Sequence, residues 1–208
     1  TGSQTAGRLL YDLANKRTEP IPFFAEMGSI NPVLLLPSGL NPTTVKMLAG
    51  SITMGVGQFC TNPGLIIGIE GEDLNQFILE LGNQLSHIEP DVMLTQQICN
   101  SYNEEIEDLL NHQEITLETR ANESEKLNNG RATLTSVPAQ SFIKNPKLSQ
   151  EIFGPYSLIV RCEDQSELDQ VLGSLDGQLT GSIIGDNSEL SLYDSSIKIM
   201  EKKVGRLI

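Results

Sequence analysis

The stretch Gly57-Gln58-Phe59-Cys60-Thr61-Asn62-Pro63-Gly64 sets a cysteine behind a glycine-interrupted helical pattern and just ahead of a turn and a strand. A sulfur held there is reachable. Its thiolate is a working nucleophile, and the backbone N–H groups of a tight turn can stabilise both that thiolate and an oxyanion formed on a substrate carbonyl. Against this stands the ordinary fate of an isolated cysteine, which is to serve as a small buried hydrophobe. The neighbouring glycines, each costing a helix about 1 kcal/mol relative to alanine, weigh towards chemistry.

Two carboxylates stand in comparable settings. In Glu26-Met27-Gly28-Ser29-Ile30-Asn31-Pro32 an acid closes an apolar extended stretch and a glycine turn follows at once. Partly buried, such an acid works as a general base toward water or a thiol; facing solvent, it is an ordinary strand-end carboxylate. In Glu151-Ile152-Phe153-Gly154-Pro155 an acid and an aromatic ring share one side of an extended segment that a Gly-Pro turn ends. Alone that segment is weak, with Phe153 as core and Glu151 as surface. His87 and His112 lack partners at metal-ligand spacing, so no metal site is expected. Cys99 and Cys162 fall on a helix core face and at a strand end, both structural. Glu104, Glu105, Glu107 and Asp108 make a solvated helix face.

The elements that must position these residues follow from periodicity. A helix is predicted over 3–17, with Ser3 as N-cap and Leu9, Leu10, Leu13 and Ala14 at helical spacing. Pro20 and Pro22 make 20–26 extended, and a short buried strand covers 32–36. Residues 42–59 read as a helix containing Gly50, Gly55 and Gly57, and 64–70 as a strand. Helices over 71–86 and 90–112 follow, the second with Thr95, Cys99, Tyr102, Ile106 and Leu109 on one face. A polar loop spans 121–130 and a strand 132–138. Strand 156–162, helix 165–174, strand 179–185, helix 188–201 and strand 204–208 complete a βαβα rhythm. That rhythm predicts an α/β fold of three layers, a mostly parallel sheet flanked by helices.

The 208 residues suffice for one large domain or two small ones. Fourteen Lys and Arg against 27 Asp and Glu leave a net charge of −13, which repels polyanions and argues against nucleic acid. No run approaches the ~18–20 apolar residues of a membrane span. Three cysteines, an odd and low count, suit a reducing compartment, the cytoplasm. Thr1-Gly2-Ser3 leads straight into a helix, and Val204 to Ile208 reads as a strand without a following turn, so both ends look cut from a longer protein.

Taken together, the three chemical stretches resemble the aldehyde dehydrogenase superfamily. Glu26 to Pro32 is similar to its general-base motif Glu-Leu-Gly-Gly-Lys-Asn/Ser-Pro, Gly57 to Cys60 to its nucleophile motif Gly-Gln-x-Cys, and Glu151 to Pro155 to its Glu-x-Phe-Gly-Pro. The separations also fit: Cys60 stands 34 positions after Glu26, and Glu151 stands 91 after Cys60. Gly2-Ser3 with Gly7 resembles the family's helix start that faces the dinucleotide phosphates. Ser29 departs from a glycine and Ile30 from a lysine, and neither change removes a reactive group. The wording around Glu26 and Cys60 is similar to the subgroup that includes 2-oxoglutarate semialdehyde (2,5-dioxovalerate) and NADP-dependent fatty aldehyde dehydrogenases.

The resemblance implies oxidation of a small-molecule aldehyde with NADP or NAD, through a thiohemiacetal and a thioester on Cys60. Glu26 would activate the hydrolytic water, Glu151 would hold the nicotinamide ribose, and Phe153 would flank the ring. It also implies that residues 1–26 are the remnant of a dinucleotide-binding domain and 27–208 a catalytic domain truncated at its C-terminus. The full-length enzyme would be a homo-oligomer, and the chain alone would neither bind dinucleotide tightly nor turn over. The alternative is a non-enzymatic assembly domain that keeps the fold; the joint presence of Cys60, Glu26 and Glu151 argues against it.

Overall fold

The computed structural model describes residues 1–125 and 127–208. In chain order its elements are α1 (Gln4–Asn15), β1 (Pro32–Leu35), α2 (Pro42–Thr53), β2 (Leu65–Ile69), α3 (Glu72–Ser86), β3 (Asp91–Val92), α4 (Gln96–Leu110), β4 (Thr116–Arg120) and β5 (Asn129–Gly130). These are followed by β6 (Thr133–Pro138), α5 (Ala139–Lys144), β7 (Tyr156–Cys162), α6 (Gln165–Ser174), β8 (Gln178–Ile184), α7 (Asp194–Lys203) and β9 (Val204–Leu207).

The apolar runs in β1, β2 and β7 are buried on both faces, as central strands of a parallel sheet must be. They lie side by side in a sheet of order β4-β6-β7-β2-β1-β8-β9, in which only β4 runs antiparallel to its neighbour. Successive side chains point to opposite faces of a strand. Leu34, Leu65, Ile67, Leu158 and Val160 accordingly join one core with Tyr102 and Ile106 of α4 and Leu168 and Leu172 of α6. Val33, Leu35, Ile66 and Ile159 join a second core with Val45, Leu48 and Ile52 of α2 and Phe77, Ile78 and Leu81 of α3. The three-layer expectation is borne out.

Departures from the expected elements have local causes. The helix expected over 42–59 ends at Thr53, because Gly55, Val56 and Gly57 take left-handed backbone with φ of 55°, 57° and 65°. Of the three glycines only Gly50 lies inside the helix. The helix expected over 90–112 begins at Gln96, where the Thr95 hydroxyl accepts from the Ile98 N–H. Before it, Asp91 and Val92 of the expected helix pair as a strand with Gly130 and Asn129 at the end of the expected loop. The helix expected over 188–201 begins at Asp194. The edge strand β4 and the short helix α5 were not expected. In α1, Gly7 and Ala14 are buried while Leu9, Leu10 and Leu13 are exposed. Among the described residues no helix is long and apolar enough to cross a membrane.

Candidate active site

The segments bearing Glu26, Cys60 and Glu151 each lead into a strand, respectively β1, β2 and β7. Those strands are parallel neighbours, so their amino ends lie together and the three segments converge. The result is a cavity of about 690 Å³ lined by Cys60, Glu26, Ser3, Glu151 and Phe153, every residue the sequence singled out for the site.

Backbone crowding fixes the Cys60 turn. A side chain at Gly57 would have its Cβ 2.2 Å from the Gly154 carbonyl and 2.4 Å from the Pro155 nitrogen. Glycine at a left-handed φ therefore lets the turn sit directly on the 151–155 segment. That segment is backed in turn by Tyr102, whose ring lies where a Gly154 Cβ would be. The Tyr102 hydroxyl donates to the Arg131 carbonyl at 2.6 Å. Burial holds its phenol well above the usual range, so it acts as a neutral donor. Beside the turn, the Gln58 amide donates to the Gly55 carbonyl and accepts from the Leu94 N–H. Cys60 itself is exposed to the cavity, whereas Cys99 and Cys162 are buried, and all three are free thiols. Burial pushes the Cys162 thiol up to about 12, consistent with an inert structural cysteine.

Glu26 is exposed at the cavity rather than partly buried. Its carbonyl accepts from the Gly2 N–H at 3.1 Å, which ties the start of α1 to the acid's own backbone. Glu151 is half-buried. Burial raises its carboxyl above the usual value, a hydrogen bond from the Ser29 backbone acts against this, and the nearby charge of Glu26 adds to it. Gly28, at φ 50°, passes so near that its Cβ would lie 3.3 Å from Glu151 Oε2.

Asn31, in sequence only a member of the Glu26 motif, is buried at φ 44° with both ends of its amide engaged. The departure at Ser29 has a structural use: its hydroxyl lies 2.8 Å from Asn31 Oδ1 and accepts from the Leu179 N–H. Ile30, in the place of a lysine, is core. One cavity wall is not marked by any sequence motif: Gln97, Ile98, Ser101 and Glu105 of α4. Their helical spacing was visible, but a polar stripe looks like a solvated face. Glu105 differs from Glu104, Glu107 and Asp108 in lining the cavity, and its carboxyl is raised by burial and by the charges of Glu151 and Glu104.

The donor set fits one end of a dinucleotide. The α1 N-terminus opens on the cavity, with the Ser3 hydroxyl accepting from the Ala6 N–H, and an N-terminus favours phosphate. Glu151 offers acceptors for ribose hydroxyls, and the Gly28 gap leaves its carboxylate clear.

The model of the aldehyde dehydrogenase family matches residues 1–196. The chain belongs to that family. It is 40% identical to alpha-ketoglutaric semialdehyde dehydrogenase 2 of Azospirillum brasilense, with all of this chain and 40% of the relative covered. It is 38% identical to alpha-ketoglutaric semialdehyde dehydrogenase of Acinetobacter baylyi, again over 100% of the chain and 40% of the relative. The chain thus spans about 40% of the length of these relatives. Among solved structures, succinic semialdehyde dehydrogenase from Streptococcus pyogenes in complex with NADP+ superposes with a TM-score of 0.78 at 20% identity, covering 100% of this chain and 46% of that one. Proline utilization A from Bdellovibrio bacteriovorus does so with a TM-score of 0.81 at 19% identity, covering 99% and 22%. These structures share the fold.

Proposed function

We propose that the chain is the catalytic part of an NAD(P)-dependent aldehyde dehydrogenase that oxidises an aldehyde to a carboxylic acid. The observation that carries this is the convergence of Cys60, Glu26 and Glu151, distant in sequence, on one cavity. Residues 1–26 belong with a dinucleotide-binding domain and 27–208 form the catalytic domain. The named activity of the relatives makes a semialdehyde of a dicarboxylic acid the first substrate to try. The free thiols accord with the cytoplasm, and homo-oligomeric assembly is carried over from the family.

Cys60 Sγ attacks the carbonyl carbon of the aldehyde and forms a thiohemiacetal, the thiol proton passing to the carbonyl oxygen. Glu151 and the α1 N-terminus with Ser3 would hold NAD or NADP, Phe153 would flank the nicotinamide, and the bound cofactor supplies the hydride acceptor. Glu26 then takes a proton from the water that attacks the resulting thioester, releasing the acid and restoring the thiol.

In the enzyme that contains this chain, Cys60→Ala should abolish aldehyde oxidation, and Glu26→Gln should slow deacylation far more than acylation in single-turnover kinetics. Undiminished activity in Cys60→Ala would overturn the assignment. The chain by itself should neither bind dinucleotide tightly nor turn over, which calorimetry with NADP and an aldehyde assay will check.

A further inference from the structure

The side chain of Asn31 joins two of the segments that converge on the cavity, its own and that of Cys60, to strand β8. Its Nδ2 donates to the Cys60 carbonyl at 2.9 Å and to the Asn62 carbonyl at 2.9 Å, with the Ser29 carbonyl more distant at 3.4 Å. Its Oδ1 accepts from the Thr180 N–H at 3.2 Å and the Thr180 hydroxyl at 3.0 Å, and lies 2.8 Å from the Ser29 hydroxyl. The amide can sit only one way round. Reversed, its oxygen would face two carbonyl oxygens and its NH2 would face an N–H.

We infer that Asn31 is a positioning residue that sets the nucleophile. It hangs the backbone of Cys60 from β8 and holds it at a fixed place relative to the Glu26 turn, five residues earlier on its own strand entry. Three observations concur. The residue is 3% exposed, so its polar atoms depend on these partners rather than on water. Its backbone is left-handed, a conformation that asparagine tolerates better than most residues. The Cys60 carbonyl it grips belongs to the very residue whose sulfur opens on the cavity. The catalytic relevance of this clamp rests on the proposed function; the clamp itself does not.

Two variants test it. Asn31→Asp keeps size, backbone tolerance and the oxygen facing Thr180, but turns an oxygen onto the Cys60 and Asn62 carbonyls. Asn31→Gly takes the left-handed φ freely and deletes both donors, and so answers the question if the aspartate variant does not fold. Thr180→Ala is the control, loosening Oδ1 while leaving Nδ2 on Cys60. The first readout is the second-order rate of Cys60 alkylation by iodoacetamide on the 208-residue chain, located by mass spectrometry. The second is kcat and KM in the enzyme that contains it.

Asn31→Asp and Asn31→Gly are expected to change the alkylation rate at least threefold and to lower kcat by roughly 10- to 100-fold with little change in KM, since small misplacements of reacting groups carry penalties of that order. Thr180→Ala should lower the melting temperature with alkylation and kcat within about twofold of wild type. An unchanged alkylation rate in the Asn31 variants overturns the clamp, as does a kcat loss in Thr180→Ala equal to theirs, which would mark a merely structural role. If alkylation changes while Cys60→Ala remains fully active, the clamp stands and the proposed function falls.

Discussion

The two ends of the parallel strands are built for different purposes. At the amino ends of β1, β2 and β7 the chain is irregular: Gly28, Asn31, Gly55, Val56 and Gly57 all have positive φ, and the segments enclose a cavity. Left-handed backbone at a β-branched residue such as Val56 is strained and persists only where surrounding structure imposes it. At the carboxyl ends of β1 and β8 the backbone is also crowded, but the crowding is locked shut. Leu36 is fully buried, a Gly39 Cβ would lie 2.3 Å from the Ile184 carbonyl, and Glu189 accepts from the N–H and hydroxyl of Ser38. Open sheets of this class commonly place ligands beyond the carboxyl ends of their strands. Here the candidate site lies at the amino ends, because Glu26, Cys60 and Glu151 all precede their strands.

The sharpest way to break this contrast is to put the same methyl group at both ends. At Gly57 it meets Gly154 backbone from a left-handed position, so Gly57→Ala should cost about 3 to 4 kcal/mol in urea unfolding and change the Cys60 alkylation rate severalfold. At Gly39 it meets the Ile184 carbonyl, and Gly39→Ala should cost about 2 to 3 kcal/mol with the alkylation rate unmoved. Equal effects of the two on Cys60 would erase the distinction between a working end and a holding end.

A smaller effect separates shape from hydrogen bonding behind the site. Tyr102→Phe keeps the ring under Gly154 but leaves the Arg131 carbonyl without its 2.6 Å donor. A loss of about 1 to 2 kcal/mol is expected, with alkylation of Cys60 nearly unchanged, because the ring packed under Gly154 supports the 151–155 segment more than the hydroxyl's longer 3.3 Å bond to the Pro155 carbonyl does. A large change in Cys60 reactivity would assign that support to the hydrogen bond instead.

The same contrast explains what was legible in the sequence. Strands such as 156–162 and the helix 165–174 were read with their observed bounds, since buried apolar runs and a capping Asp164 are local signals. Cys60, Glu26 and Glu151 were legible through motif resemblance, which their convergence on one cavity matches. Asn31 was not, because an amide's partners at Cys60 and Thr180 lie 29 and 149 residues away and leave no trace in local pattern. The left-handed run at 55–57 was hidden by Val56, a residue type that argues against such backbone. Strand β4, exposed on an edge and kinked between Leu117 and Thr119, showed no clean alternation.

The smallest expected effect concerns charge at the working end. Burial and the charge of Glu26 hold the Glu151 carboxyl above its ordinary 4.5. The folded chain therefore keeps this proton to higher pH than the unfolded chain does. As pH rises through 4.5 the unfolded chain ionises first, so this group's contribution to stability declines from there until the folded carboxyl also ionises, and is level above that. Glu151→Gln removes the decline. Melting temperatures taken between about pH 4 and pH 7 should fall less for the variant than for wild type; parallel profiles would show that Glu151 is not held in this way. Glu105 adds a second test, because the Glu151 charge is among the causes that raise its carboxyl. Removing that charge eases the ionisation of Glu105, so Glu151→Gln should flatten the profile by more than Glu151's own share, and Glu105→Gln in the same background should add less than it does alone.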